Sequence, residues 1–169
     1  MSADLTIALG KLLSDAALRE RLRRDPEAAS TLLDINVATL RELDLEGLEA
    51  QAQGLIDKRF HEVAKRLPRT LAGLGARTAG TFREYATGVW PEGHDRHLQD
   101  AAAFGDFLKR RGLPVCRSEL NRVRFTCGRM PISIRLAPDV WVAGRSRWAV
   151  QVLIRRAAGV RSLAFYLGL

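Results

Sequence analysis

Residues 107–116 read FLKRRGLPVC, and the chain changes character across them. Upstream, apolar residues fall three or four apart, the spacing of one helix face; downstream they alternate, the spacing of a strand whose two faces meet different surroundings. Gly112 stands where helix C-termini favour glycine, and Pro114 cannot continue a helix. The pattern therefore predicts an α+β chain, with an all-helical module over residues 1–112 and a small antiparallel β-sheet meander over residues 113–169.

Reading backwards from Gly112, a helix is expected over residues 98–111 around Ala102, Phe104, Phe107 and Leu108, and another over residues 78–89 around Phe82, Tyr85 and Ala86. A long amphipathic helix covers residues 45–67. Its apolar positions Leu48, Ala52, Leu55, Ile56, Phe60, Val63 and Leu67 are set against a wet face of Glu49, Asp57, Lys58, Glu62 and Lys65, and Pro68 ends or interrupts it. Nearer the start, residues 5–13 form one helix and Ser14 offers an N-cap for a second bearing Leu18 and Leu22. Asp25-Pro26 restarts the chain as a short helix over residues 26–33, because proline is harmless at the first helical position and the carboxylate accepts backbone N–H groups there. Asn36 caps another, residues 37–43.

Reading forwards, a short helix or turn is expected around residues 118–124. Strands follow near residues 131–136, 140–143, 147–155 and 160–168, separated by hairpin-length turns at Pro138-Asp139, Gly144-Arg145 and Ala158-Gly159. In the stretch RWAVQVLIR, residues 147–155, alternation sets Trp148, Val150, Val152 and Ile154 on one face and Ala149, Gln151, Leu153 and Arg155 on the other. One face packs on helices and the other is partly wet.

The 169 residues are 47% hydrophobic, enough for a buried core. No membrane-length apolar run or secretory leader pattern occurs, so a soluble, cytoplasmic protein is expected, with no membrane partner. Charge divides at the same boundary as the periodicity. Residues 1–112 hold 17 Lys+Arg and 17 Asp+Glu; residues 113–169 hold 10 Arg, no Lys and two acids, Glu119 and Asp139, so the net charge of +8 resides in the last third. Arginines kept together without acidic neighbours point to an anionic partner, unless an acidic surface of the helical module faces them. Their planar fork suits carboxylate and phosphate alike. An extended acidic peptide added to a sheet edge fits a small open meander, with Arg129, Arg135, Arg145, Arg147, Trp148 and Arg155 as its candidate contacts. Nucleic acid is less favoured, since it calls for a groove-fitting helix or stacking aromatics. By contrast Arg19, Arg21, Arg23 and Arg24 are interleaved with acids and read as a solvated helix face.

Catalytic chemistry finds little support. His94 and His97, three apart, can approach one ion if both lie on a helix, with Asp100 a turn further on, but no third and fourth ligand accompanies them at a recognisable spacing. Cys116, beside Arg117, and Cys127 are the only cysteines; a nucleophile needs a lowered pKa and a nearby base, and every histidine lies in the other module. No nucleophile elbow, phosphate-binding loop or dinucleotide fingerprint is present.

Over residues 52–112 the motifs Leu55-Ile56-x-Lys58-Arg59, Val63, Leu67-Pro68, Leu74-Gly75, Phe82-x-x-Tyr85-Ala86, Pro91-x-Gly93, Asp100 and Phe104-x-x-Phe107-Leu108 resemble the partner proteins of multinuclear non-haem iron oxidative enzymes, which modify ribosomally made peptides. The opening Leu12-Leu13-x-Asp15-x-x-Leu18-Arg19-x-x-Leu22-Arg23-x-Asp25-Pro26 is similar to the helical start of such proteins. The resemblance covers about two thirds of the chain. It implies a non-catalytic subunit without a cofactor of its own: helices dock on the enzyme that carries the iron, and the C-terminal sheet captures the leader of a precursor peptide. Enzyme contacts are then expected among Lys58, Arg59, His94, Arg96 and His97. The alternative is a small nucleic-acid-binding regulator, and after it an enzyme using Cys116 or the histidine pair.

Overall fold

The computed structural model describes residues 3–142, 145–156 and 159–166, and within them the chain is α+β. Nine α-helices are found among the described residues: α1 (Ala3–Ser14), α2 (Ala16–Arg24), α3 (Pro26–Leu33), α4 (Val37–Arg41), α5 (Leu45–Arg66), α6 (Pro68–Leu74), α7 (Thr78–Gly88), α8 (Arg96–Arg110) and α9 (Arg117–Cys127). A 3-10 turn, Gly75–Arg77, joins α6 to α7. Three strands follow, β1 (Ile132–Val142), β2 (Arg145–Arg156) and β3 (Gly159–Tyr166), in the order β1-β2-β3 with both pairings antiparallel.

Short side chains next to the backbone set several helix boundaries. Asp15 accepts the Leu18 N–H (3.0 Å), Asp25 the Ala28 N–H (3.0 Å) and Asn36 the Ala38 N–H (2.8 Å), satisfying donors that a helix start leaves without partners. The cap of α2 is thus Asp15 rather than Ser14, which closes α1 and donates its hydroxyl to Gly10 O. At the other end of α8, Gly112 has φ 65°, and the Leu113 N–H reaches Leu108 O (3.0 Å) while the Gly112 N–H reaches Lys109 O (3.1 Å). This paired closure needs the left-handed backbone that glycine adopts freely. Helix α5 stops at Arg66, as expected ahead of Pro68; Leu67 leaves helical geometry and Pro68 opens α6 as its first residue, a helix over residues 68–74 that was not anticipated.

The chain divides into two compact units, Met1–Lys58 with Arg83–Trp90, and Arg59–Phe82 with Pro91–Leu169. These limits differ from the compositional boundary at residue 112. In the first unit Ala8, Leu12, Leu22, Ala29, Leu33, Leu40 and Leu48 form one apolar cluster. Arg19 is buried there instead of lying on a wet face; it donates to Leu12 O (2.8 Å) and pairs with Glu49 (2.8 Å), whose carboxyl is held below its ordinary range chiefly by that hydrogen bond. In the second unit Phe82 and Phe104 meet edge to face with centroids 5.1 Å apart, and Phe60 lies 5.4 Å from Phe82.

Where four strands were expected, three are found among the described residues. Pro138-Asp139 is a bulge inside β1, not a turn, and the β1–β2 register shifts there, between Ala137 and Val140. The expected turns at Gly144 and Ala158, and the last expected strand residues after Tyr166, lie outside the described residues. Helix α9, longer than anticipated, packs on one face of the sheet. Leu120, Val123 and Phe125 of α9 are buried, as are Ala137, Ala149, Gln151 and Leu153 of the strands.

Candidate functional site

The covered face of the sheet is the less apolar one. Gln151, 2% exposed, donates from Nε2 to Ser118 O (3.0 Å) and accepts from Asn121 Nδ2 (3.4 Å), so its amide is satisfied against α9. The opposite face carries Ile132, Ile134 and Leu136 of β1 at 51%, 66% and 58% exposure, and Trp148 of β2 at 52%. In register, Ile132 stands opposite Ile154, Ile134 opposite Val152 and Leu136 opposite Val150, so this outer face is a continuous apolar surface across two strands.

β1 is also an outer strand of the sheet. Between it and the C-terminal half of α9 runs an open groove of about 210 Å³, lined by Asn121, Arg124, Phe125, Met130, Ser133 and Arg135. Arg129, Arg135, Arg145 and Arg147 are exposed, and none has an ion-pair partner among the described residues. The two acids of the last third are engaged elsewhere. Glu119 accepts the Arg69 and Thr70 N–H groups (2.8 and 2.9 Å) and the Thr70 hydroxyl (2.9 Å), capping α6. Asp139, placed by the β1 bulge, accepts the Arg117 and Ser118 N–H groups and caps α9. The positive field along β1 is therefore not cancelled from within its own segment.

Arg155 differs from the other arginines expected to meet a ligand. Its Nη2 donates to Phe125 O (2.6 Å) and Gly128 O (2.5 Å), and its guanidinium lies 5.2 Å over the Phe125 ring. It binds the carbonyls that the end of α9 leaves over, which is structural work. Arg155→Gln is accordingly expected to lower the unfolding free energy by about 1–3 kcal/mol, read as a fall in the urea midpoint at unchanged m-value. An unchanged midpoint would remove this assignment.

Of the expected enzyme contacts, Lys58, His94 and Arg96 are exposed and His97 is half-buried. Arg59 is a correction. It is 8% exposed and forms a bidentate pair with Asp100, Nε to Oδ2 and Nη2 to Oδ1 both at 2.9 Å. A side chain so enclosed cannot present its charge to a partner. His94 precedes α8, so the helical i, i+3 geometry that would bring it to His97 does not arise. Among the described residues no three His, Cys, Asp or Glu side chains are grouped as ligands of one ion.

Cys116 is buried, its N–H donating to Thr70 Oγ1 (3.1 Å) and its Sγ lying 3.2 Å from Ser118 Oγ. Burial, more than any other influence, pushes its thiol pKa up, and the Glu119 and Asp139 carboxylates add to the rise; Cys127 is raised by burial too. A thiol kept protonated in this way is a poor nucleophile. A raised thiol pKa means the folded state keeps its proton longer than the unfolded chain. Its contribution is present at neutral pH and declines as pH rises through the ordinary cysteine range. Ellman's reagent should react slowly with the native chain and rapidly in denaturant, with the native rate still climbing where a free thiol has levelled off; fast native labelling at pH 7 would contradict this.

Residues 41–110 match the family model described as SCO6045-like, C-terminal domain. The SCO6045-like segment runs from the last residue of α4 to the end of α8 and contains both Arg59 and Asp100, whereas α9 and the sheet lie outside it. No curated protein and no solved structure matches the chain. No helix among the described residues is long and apolar enough to cross a membrane.

Proposed function

We propose that this chain is a non-catalytic, cytoplasmic recognition subunit that captures an acidic leader peptide on the free edge of β1 and delivers it to a multinuclear iron oxidative enzyme. The observation that carries the capture is the open edge of β1 beside a groove bordered by Arg135, which has no ion-pair partner among the described residues. An extended peptide gains main-chain hydrogen bonds from such an edge, and arginines fix its acidic side chains. The iron-enzyme partner rests on the resemblance of residues 52–112. Iron belongs to that enzyme, and its contacts fall on Lys58, His94, Arg96 and His97. Tethering the leader raises the local concentration of the modifiable segment at the enzyme.

The same arginines suit phosphate, which keeps the nucleic-acid regulator as the second reading, and salt dependence separates the two. DNA held through 6–10 phosphates loses about 10³–10⁵ in affinity between 50 and 200 mM salt. A paired strand held by main-chain hydrogen bonds changes far less. Fluorescence anisotropy with a synthetic acidic leader peptide, and with a duplex DNA, tests the proposal directly. Binding of the leader with a shallow salt slope is expected, as is co-elution with a multinuclear iron oxidative enzyme. Steeply salt-dependent DNA binding without leader affinity would replace the reading.

A further inference from the structure

We infer that the peptide taken up at the β1 edge is one in which apolar and acidic residues alternate. This rests on the peptide-capture reading above and adds the sequence class of the ligand.

The argument begins with the backbone. The Arg155 N–H donates to Pro131 O (2.9 Å), and the register places Ile132 opposite Ile154, so Pro131 turns its carbonyl toward β2. Backbone N–H and C=O groups of alternate residues point to opposite sides of a strand. Ser133 and Arg135 therefore address β2, while Ile132, Ile134 and Leu136 turn their N–H and C=O groups to the open edge. Pro131 and Pro138 bracket this run and limit the pairing surface to the residues between them.

A strand added at this edge sends successive side chains to opposite faces. One set lies beside Ile132, Ile134 and Leu136, all more than half exposed, and continues the outer apolar face. The other set lies over the groove beside Ser133, Arg135 and Arg124. Arg124 pairs with Asp106, and Arg135 has no ion-pair partner among the described residues, so a carboxylate arriving there gains a charge-assisted bond. The two faces of β1 thus ask for opposite chemistry at adjacent positions. A slip of one residue would put acids on the apolar face and apolar groups over the arginines, so order and not composition decides affinity.

Two heptapeptides of one composition make the test, the alternating Val-Glu-Ile-Asp-Val-Glu-Ile and the blocked Val-Ile-Val-Ile-Glu-Asp-Glu, titrated by anisotropy against the full chain. The alternating peptide should bind about tenfold tighter or better, compete with the natural leader, and lose that advantage with Arg135→Glu, whose fold is checked by circular dichroism. N-methylation along the alternating peptide should abolish binding at every second position and be tolerated between. Equal binding of the two heptapeptides would overturn the inference, as would a leader that binds while the alternating peptide fails to compete; in both cases peptide capture itself stands. Failure of leader and heptapeptides alike would remove the capture reading, and the inference with it.

Discussion

Asp100→Ala is expected to lower the unfolding free energy by about 3–5 kcal/mol, the range for a buried ion pair broken at one end. The Asp100 side chain is 1% exposed and that of Arg59 10%, and both hydrogen bonds between them are 2.9 Å long. The guanidinium also lies 5.9 Å from the centroid of the Phe82 ring, in a neighbourhood where Phe82 and Phe104 are fully buried. Removing the carboxylate takes from a nearly buried guanidinium, beside a fully buried ring, its bidentate counter-charge. A loss of that size is a large share of the roughly 5–15 kcal/mol that holds a domain together. Urea unfolding measures it. The double replacement Arg59→Met with Asp100→Leu should cost far less than the two single changes added together, because it removes charge and counter-charge at once. Should Asp100→Ala shift stability by under about 1 kcal/mol, the pair is not the anchor described.

The second large effect concerns the contact of α8 with α9. A Cβ built on Gly105 would lie 2.6 Å from Leu120 Cδ1 and 3.1 Å from Cδ2, so glycine is what lets Leu120, fully buried, seat against α8. Leu120→Ala is expected to cost about 2–5 kcal/mol through lost burial and a residual cavity. Gly105→Ala costs about 1–3 kcal/mol by overpacking, offset in part by the ~1 kcal/mol that alanine gains over glycine in a helix interior. Combined, the two changes should leave the chain more stable than Leu120→Ala alone, since the new methyl occupies space that the leucine vacated. Simple additivity in the double variant would show that these positions do not meet. The experiment also bears on function, because α9 forms one wall of the groove beside β1.

Much of the helical part was legible because its signals are local. Asp25-Pro26, Asn36 and Gly112 act through hydrogen bonds and φ angles within a few residues, and each holds the boundary expected of it. Pro68 interrupts the helical path as expected, and the helix it opens was missed because a proline that stops one helix is equally suited to begin the next. Pro138-Asp139 misled for a related reason. Proline and aspartate favour turns, but they also fit a bulge, and here the neighbouring strand β2 and the N–H groups of α9 select the bulge.

The candidate site was legible in charge but not in placement. The excess of arginine in the last third and the alternation in β2 are properties of the residues themselves, independent of what they touch. Which arginines remain available depends on groups distant in the chain. Arg59 meets Asp100 across 41 residues and Arg155 meets Phe125 O across 30, and no sequence interval announces either contact. The covered face of the sheet was decided in the same way. Alternation establishes two faces, and hydrophobicity alone would bury the one bearing Trp148, yet α9 covers the face whose Gln151 can bond Ser118 O and leaves the more apolar face open. The sequence by itself therefore determined most element types, the local helix boundaries at Asp25, Asn36 and Gly112 and the location of positive charge, because these arise from covalent neighbours and short-range sterics. Only the tertiary structure decided which charges are buried, which sheet face is exposed and which edge is free, because each depends on burial and pairing between segments far apart in the chain.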